Sequence, residues 1–106
     1  MFRGFFRAPS TKRDGGSFTE AEIRAVWNKA PIADGYNTAY VRKDVCGALI
    51  EWVQYGNRDS RYGWEIDHIQ AVANGGGDEL SNLQPLQWAN NVSKSDGPPW
   101  GFCKVG

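Results

Sequence analysis

Glycine and proline interrupt this sequence so often that no long regular segment can form. The 106-residue chain contains 13 glycines and 5 prolines, which divide it into short stretches. Glycine permits backbone conformations that other residues avoid, and proline cannot continue a helix or a central strand, so both favour turns. The pattern therefore predicts a loop-rich fold of short helices and strands, and it argues against a helical bundle.

The length allows one small domain. A chain of this size buries roughly 60–70% of the surface that its unfolded form exposes, so its core is thin. The 5 tryptophans, 4 tyrosines and 5 phenylalanines strengthen that core, since each ring buries roughly 150–250 Å². No stretch approaches the ~18 apolar residues of a membrane span, and the first residues lack the apolar core of a signal peptide. We therefore expect a cytoplasmic protein with no membrane-spanning segment.

The charged residues are balanced in number but unevenly distributed. Lysine and arginine total 12, as do aspartate and glutamate, whereas proteins that bind nucleic acid usually carry a positive excess. The first 13 residues nevertheless contain four basic side chains and no acidic one: Arg3, Arg7, Lys12 and Arg13. We expect residues 1–17 to form a flexible basic arm before a domain spanning residues 18–106. The arm is either a solvated tail or a contact for phosphate groups.

An amphipathic helix is predicted directly after the arm. Thr19 and Glu22 match a capping box, and Phe18 and Ile23 match the hydrophobic staple that accompanies it. Apolar residues then recur at helical spacing and would form one buried face: Ile23, Val26, Trp27 and Ala30. Pro31 discourages continuation of the helix.

The remaining elements give the chain an α+β pattern. Residues 31–44 are predicted to be loop. Two segments rich in β-forming residues, Ala48–Tyr55 and Tyr62–Ile69, flank a polar turn and are expected to pair with each other. A short strand at 83–86 and a helix at 88–95 follow a glycine-rich loop.

The residues that could take part in catalysis or metal binding lie between positions 64 and 96. Asp67 precedes His68, the only histidine; Asn82 lies just before the short strand, and Asn91 lies on the last predicted helix. Hydrolysis of a phosphodiester requires a base that deprotonates water and a cation that neutralises developing charge. Imidazole can exchange a proton near neutral pH, and carboxylate and amide oxygens suit a hard ion such as Mg²⁺. The segment therefore indicates a nuclease site with one metal ion.

This arrangement resembles the HNH endonuclease motif, a ββα-metal unit in which a β-hairpin and a helix clasp the ion. The Asp-His pair of the family is matched by Asp67 and His68, and its middle asparagine by Asn82. Its last residue is matched by Asn91, three residues before Lys94. The resemblance implies that Asp67 and Asn91 bind the metal. It further implies that His68 is the general base and that Asn82 orients it.

A structural zinc, which many members of this family hold, is not expected. The Cys-x-x-Cys pairs of those relatives would fall on Cys46 with Leu49 and on Gln87 with Asn90. One cysteine cannot form the closed four-ligand site that structural zinc requires, which also argues against a zinc-dependent structural domain. We expect packing of three aromatic rings in its place: Trp52, Trp64 and Trp88. At the catalytic position, Asn91 in place of a histidine favours Mg²⁺, or Mn²⁺, over zinc.

Nucleic acid, and DNA in particular, is the partner that the resemblance implies. Arg58, Arg61 and Lys94 are the predicted phosphate contacts. Because the formal net charge is +0, we expect weak binding by one chain alone, and a homodimer or a partner protein would supply affinity. The alternative function is a catalytically inactive nucleic-acid-binding module of the same fold. The intact motif argues against it, since loss of function should remove the costly site first.

Two further points concern geometry and the cysteines. Neighbouring side chains on a strand point to opposite faces, yet Asp67 and His68 must both address one phosphate. We therefore expect the strand to end or bulge at this pair, with Asn82 hydrogen-bonding near His68. Cys46 and Cys103 are either free thiols in a reducing compartment or one long-range disulfide in an exported protein.

Overall fold

The chain folds into two short antiparallel strand pairs flanked by two helices. The structure, a computed structural model, describes residues 7–106. The elements in chain order are α1 (Glu20–Trp27), β1 (Val41–Lys43), β2 (Leu49–Glu51), β3 (Trp64–His68), β4 (Leu83–Gln87) and α2 (Trp88–Lys94). The strands pair as β1 with β2 and β3 with β4. The α+β class is therefore as predicted. Among the described residues, no helix is both long enough and apolar enough to cross a bilayer.

Helix α1 begins where its sequence predicts. The Thr19 side chain accepts a hydrogen bond from the Glu22 backbone N–H, and the Glu22 carboxylate accepts one from the Thr19 N–H at 2.8 Å. This reciprocal pair satisfies donors that the first helical turn leaves free, and it confirms the predicted capping box. Val26 and Trp27 are fully buried on the inner face, and the helix ends at Trp27, before Pro31.

The predicted pairing of Ala48–Tyr55 with Tyr62–Ile69 is wrong. These segments contribute β2 and β3 to different strand pairs and touch through an isolated bridge between Tyr55 and Trp64. The loop predicted over residues 31–44 contains β1, whose return to β2 is a tight turn closed by a hydrogen bond from the Asp44 N–H to the Ala48 carbonyl. Closing so short a loop costs little chain entropy, which favours the local partner.

The core lies between α1 and one face of β3. The rings of Trp27, Trp52 and Trp64 pack at centroid distances of 5.2 to 6.0 Å, in tilted and edge-on arrangements. Trp27 and Trp64 are fully buried, and Ile66 extends the same face of β3. This packing stabilises β3, the strand that contains the Asp-His pair.

A second buried cluster, which we name the anchor cluster (Asp44, Gln87 and Asn90), joins the β1–β2 turn to the start of α2. Asp44 is 1% exposed and accepts four hydrogen bonds, each of 2.9 Å. Their donors are two N–H groups of its own turn, the Gln87 N–H and the Asn90 amide: Cys46, Ala48, Gln87 and Asn90. Of the three rings expected in place of zinc, Trp52 and Trp64 pack together, whereas no ring contact joins Trp88 to them among the described residues. A carboxylate connects the segments that contain the family's cysteine positions.

The C-terminal segment is attached to the same region. The Asn90 side chain accepts hydrogen bonds from the Lys104 and Val105 N–H groups and donates to the Val105 carbonyl. Cys46 and Cys103 form a disulfide with their Cα atoms 5.6 Å apart, which is the second of the two alternatives that the sequence left open. The bond and the anchor cluster together hold the chain terminus against α2.

The arm predicted over residues 1–17 is described in part, since residues 1–6 lie outside the described residues. The Ser10 hydroxyl accepts a hydrogen bond from the Ile66 N–H at 2.9 Å and lies 2.6 Å from the Tyr55 hydroxyl. The Arg13 N–H donates to Asp78 at 2.9 Å. These contacts bring the arm to the outer edge of β3. Its flexibility and the boundary at residue 18 stay predictions.

Candidate active site

Strand β3 presents alternate side chains to two different environments. Trp64 and Ile66 face the tryptophan core, whereas Glu65 and Asp67 contact side chains of α2. All residues of the strand are buried. The period of two along a strand therefore places a pair of buried carboxylates against the helix.

Glu65 is the more completely paired of the two carboxylates. Arg58 donates to both of its oxygens, at 2.6 and 2.9 Å, and the Asn91 amide donates to one of them at 2.7 Å. The hydrogen bonds from Arg58 to Glu65 raise the pKa of the Arg58 guanidinium above its ordinary value. Glu65 was not predicted from the sequence, although its position two residues before Asp67 placed it on the same strand face.

Asp67 is paired through only one of its two carboxylate oxygens within the described part of the chain. Its Oδ2 accepts a hydrogen bond from Gln84 at 3.0 Å and lies 3.3 Å from the Lys94 ammonium. Burial raises the pKa of the Asp67 carboxyl above its ordinary value, although Gln84 and Lys94 both act to lower it. Within residues 7–106, no hydrogen bond reaches its Oδ1.

Lys94, one of the predicted phosphate contacts, is buried in this structure. Its side chain is 0% exposed, and its ammonium donates to the His68 carbonyl at 2.9 Å as well as facing Asp67. A buried ammonium needs such partners because removal of a charge from water is costly. Lys94 therefore connects α2 to the end of β3 instead of reaching solvent.

Asn91 is held so that its amide oxygen remains available. Its NH₂ group donates to Glu65, which directs its carbonyl oxygen elsewhere, and no described residue donates to that oxygen. Asp67 and Asn91 thus lie on the same side of β3 but bind different protein partners, and no direct hydrogen bond joins them in the described part of the chain. Each retains one oxygen to which no described residue donates a hydrogen bond. That Asp67 and Asn91 share an ion stays a prediction.

Carboxylate and amide oxygens are the ligands that a hard divalent ion prefers. Mg²⁺ commonly takes one or two protein oxygens and keeps several waters. Over residues 7–106 there is no group of three or more histidine, cysteine, aspartate or glutamate side chains that could hold a metal. The donor set would therefore consist of one carboxylate, one amide and waters, a set that favours Mg²⁺ or Mn²⁺ over zinc.

His68 ends β3 on the face opposite to Asp67. The ladder with β4 is regular up to the pair of His68 with Leu83, so the strand ends at this residue without a bulge. The His68 Nε2 lies 2.8 Å from an oxygen of Asp78. Its Nδ1 has no hydrogen-bond partner among the described residues. The ring is otherwise covered, with the Phe18 ring centroid 6.3 Å away.

Asp78 is the second residue that the sequence analysis missed. Partial burial alone would raise the pKa of Asp78, but hydrogen bonds from His68 and from the Arg13 N–H lower it below its ordinary value. The signal in the sequence was weak, because an aspartate after three glycines reads as a turn residue.

Asn82 braces the loop between His68 and Asp78 and makes no hydrogen bond to the imidazole among the described residues. Its amide donates to the Gln70 and Gly77 carbonyls and accepts from the Gln70 N–H at 2.9 Å. A Cβ atom at Gly76 would lie 1.7 Å from the Gln70 carbonyl oxygen, so this close approach requires glycine. Asn82 therefore holds the two ends of the loop together. It binds Gly77, the residue before Asp78, and Gln70, two residues after His68. Its predicted role in orienting His68 stays a prediction.

Two of the predicted phosphate contacts remain at the surface. Arg58 keeps 44% of its side chain exposed despite its pairing with Glu65. Arg61 is exposed, with its guanidinium 5.3 Å from the Tyr62 ring centroid. Both lie in the turn that leads into β3, on the same stretch of chain as the candidate site.

Comparison with protein families agrees with this geometry. The model of the family described as HNH endonuclease matches residues 44–97, which is just over half of the chain. The match begins at Asp44 of the anchor cluster and extends through the whole of the β3–β4–α2 unit. Comparisons with curated proteins and with solved structures gave no match. The matched residues and the hairpin-helix unit together place this chain in the HNH endonuclease family.

Proposed function

We propose that this protein is a metal-dependent endonuclease, a hydrolase that cleaves phosphodiester bonds of nucleic acid, with DNA as the expected substrate. The observation that carries the proposal is a set of polar atoms around the end of β3 whose hydrogen-bonding capacity no described residue uses. They are the Asp67 Oδ1, the Asn91 Oδ1 and the His68 Nδ1, none of which has a partner among the described residues. Family membership supports the same reaction class.

His68 acts as the general base in this proposal. A neutral imidazole has one N–H donor and one acceptor nitrogen. With the N–H at Nε2 directed to Asp78, the lone pair of Nδ1 can take a proton from the attacking water. A divalent ion held by Asp67 and Asn91 would neutralise the charge that develops on the leaving 3′-oxygen. The family resemblance implies products with a 5′-phosphate and a 3′-hydroxyl.

The charges at the site favour entry of the ion together with the substrate. Arg58 is paired with Glu65, and Lys94 with Asp67, so these four charges cancel before any ion arrives. A site without net negative charge attracts a cation weakly. The scissile phosphate would add the missing negative charge and further oxygen ligands. We therefore expect Mg²⁺ to bind more tightly in the presence of nucleic acid.

Contact with the rest of the substrate would come from the exposed surface beside the site. Arg58 and Arg61 are the proposed phosphate contacts. Since the formal net charge is +0, a second copy of the chain or a partner protein would supply additional affinity. The expected cytoplasmic location stays a prediction, and the disulfide between Cys46 and Cys103 favours an oxidising compartment instead.

A cleavage assay tests the proposal. The purified protein is incubated with supercoiled plasmid, single-stranded DNA and RNA, each with Mg²⁺, Mn²⁺ or EDTA. We expect cleavage only with an added ion, and a His68→Ala variant should be slower by about 10²–10⁴-fold, the usual contribution of a general base. Its metal affinity, measured by calorimetry with a non-cleavable substrate, should be unchanged because His68 is not a proposed ligand.

Val92→Ala is the matched control, because Val92 is exposed on α2 and outside the site. Cleavage in EDTA, or full activity of His68→Ala, would contradict the proposal. Binding of nucleic acid without cleavage by the wild-type protein would favour the inactive binding module.

A further inference from the structure

The contact between Asp78 and His68 is the most specific interaction around the proposed base. The Asp78 Oδ1 and the His68 Nε2 lie 2.8 Å apart. The His68 side chain is 9% exposed and that of Asp78 is 29% exposed. The carboxylate is therefore accessible to water on one side while it holds a nearly buried ring on the other.

We propose that Asp78 is a positioning residue that fixes the orientation and tautomer of the His68 ring; this inference rests on the proposed function. An ionised carboxylate accepts hydrogen bonds and cannot donate them, so it favours the tautomer with hydrogen on Nε2. The Nδ1 of His68 is then the unprotonated nitrogen. Without Asp78 the two tautomers and alternative ring orientations become accessible, and the lone pair is directed at the water for only part of the time.

The surroundings of Asp78 are rigid enough for this role. The Arg13 N–H donates to the same carboxylate oxygen at 2.9 Å. The Gly77 carbonyl, just before Asp78 in the chain, accepts a hydrogen bond from the Asn82 amide at 2.9 Å. The carboxylate is thus restrained by the arm on one side and by the braced loop on the other. Asn82 would then orient His68 through Asp78, without touching the ring.

A purely structural ion pair is the competing explanation. Solvent-accessible pairs contribute about 0–1 kcal/mol to stability, so a loss of activity in an Asp78 variant could follow from a loosened loop alone. A direct measurement of the imidazole separates the two explanations. Because the chain contains 1 histidine, the nitrogen-15 resonances of the imidazole ring are unambiguous.

The test compares the ring nitrogens of wild-type, Asp78→Ala, Asp78→Asn and Glu79→Ala proteins by NMR at alkaline pH, where imidazole is neutral. We expect the wild type to be the Nε2–H tautomer and Asp78→Ala to show a mixture. Asp78→Asn should also show a mixture, because its amide can donate to Nε2 through the NH₂ group as well as accept from it through the oxygen. Glu79→Ala removes the neighbouring exposed carboxylate and should leave the ring unchanged.

Kinetics supply the second measurement. Asp78→Ala should lower kcat by about 10–100-fold, the usual cost of removing a group that orients a catalytic residue, with KM unchanged. Asp78→Asn should lower kcat as well, because an amide does not fix the tautomer of the ring. The double variant His68→Ala with Asp78→Ala should be no slower than His68→Ala alone, because Asp78 acts only through His68.

The possible failures are distinguishable. An unchanged tautomer in Asp78→Ala would overturn the role of Asp78, whether or not the protein cleaves nucleic acid. Loss of kcat in Asp78→Ala and Asp78→Asn with no change at the ring would also overturn it in favour of a structural pair. Absence of cleavage by the wild type would instead refute the proposed function, and the NMR result would still report on the contact itself.

Discussion

Two polar clusters contact α2: the anchor cluster, and the group formed by Glu65 and Asp67 of β3 with Asn91. They differ in how many of their polar atoms have hydrogen-bond partners. In the anchor cluster, Asp44 accepts four hydrogen bonds and Asn90 makes four. Around β3, Asp67 and Asn91 each keep one oxygen without a partner among the described residues. A saturated cluster can only stabilise the fold, whereas an unsaturated one can still bind a ligand.

The adjacent asparagines make the comparison direct. Asn90 and Asn91 have the same side chain and differ by about 100° around the helix axis. Asn90 is fully buried and joins the β1–β2 turn to the C-terminal segment, whereas Asn91 is half-buried and contacts Glu65. A polar residue of the motif region is therefore assigned to function by its unused hydrogen-bonding capacity, and its burial alone is not informative.

The largest effect on stability is expected for Asn90→Ala. The substitution removes four hydrogen bonds from a fully buried site, and each contributes about 1 kcal/mol. We expect the free energy of unfolding to fall by about 4 kcal/mol, measured by urea denaturation. Asn91→Ala is the matched control and should lose only about 1 kcal/mol, because it makes one hydrogen bond to Glu65. Similar losses at both positions would show that the two clusters do not differ in how strongly they stabilise the fold.

Removal of the disulfide is expected to have the next largest effect. Cys46 and Cys103 are 57 residues apart, and a bond that closes a loop of this length restricts the unfolded chain by about 2–4 kcal/mol. The double variant Cys46→Ser with Cys103→Ser should unfold at lower urea concentration, and reduction of the wild type should have the same effect. Cleavage by the folded protein should be unchanged, since neither cysteine touches the candidate site.

The wild-type protein and the double cysteine variant also test the expected absence of structural zinc. Elemental analysis of protein purified without added metal should show no stoichiometric zinc in either. A one-to-one zinc content that is lost in the double variant would contradict the saturated anchor cluster. Insensitivity of the wild type to reducing agent would mean that the thiols are unpaired in solution.

Local signals explain what the sequence predicted. The capping box at Thr19 and Glu22 is confirmed, and α2 and β4 lie within one residue of their predicted bounds. The strand β1 was missed because its three residues, Val41–Lys43, are too few to show a period. Pairing of β2 was assigned to the wrong partner, since β propensity indicates a strand and does not identify its neighbour.

The candidate site was predicted less completely, for a physical reason. The motif supplied Asp67, His68, Asn82 and Asn91, but Glu65 and Asp78 act through contacts that depend on the fold. Lys94 was predicted to contact phosphate, which requires an accessible ammonium, and lysine is rarely buried. Its burial depends on two partners that only the structure brings together, the Asp67 carboxylate and the His68 carbonyl.

An intermediate effect, on metal dependence, is expected for Asn91→Ala. The variant loses one of two proposed protein ligands, so the Mg²⁺ concentration for half-maximal cleavage should rise at least about tenfold, or ~1.4 kcal/mol. Asn90→Ala, assayed at a temperature where it is folded, is the matched control and should keep the wild-type Mg²⁺ dependence. An equal shift in both variants would show that the two clusters are not functionally separate.

The smallest effect is expected outside both clusters, at Arg61. This exposed side chain packs near the Tyr62 ring and makes no ion pair within residues 7–106. If it contacts one phosphate, Arg61→Ala should weaken binding by less than about 1 kcal/mol for every sequence, and should reduce the slope of log affinity against log salt by about 1. Fluorescence anisotropy across a salt series measures both quantities.

Arg58→Ala should lower stability and binding more than Arg61→Ala, because it also leaves the buried carboxylate of Glu65 without its ionic partner. An unchanged salt slope in Arg61→Ala would remove Arg61 from the binding surface and leave Arg58 as the phosphate contact of this turn.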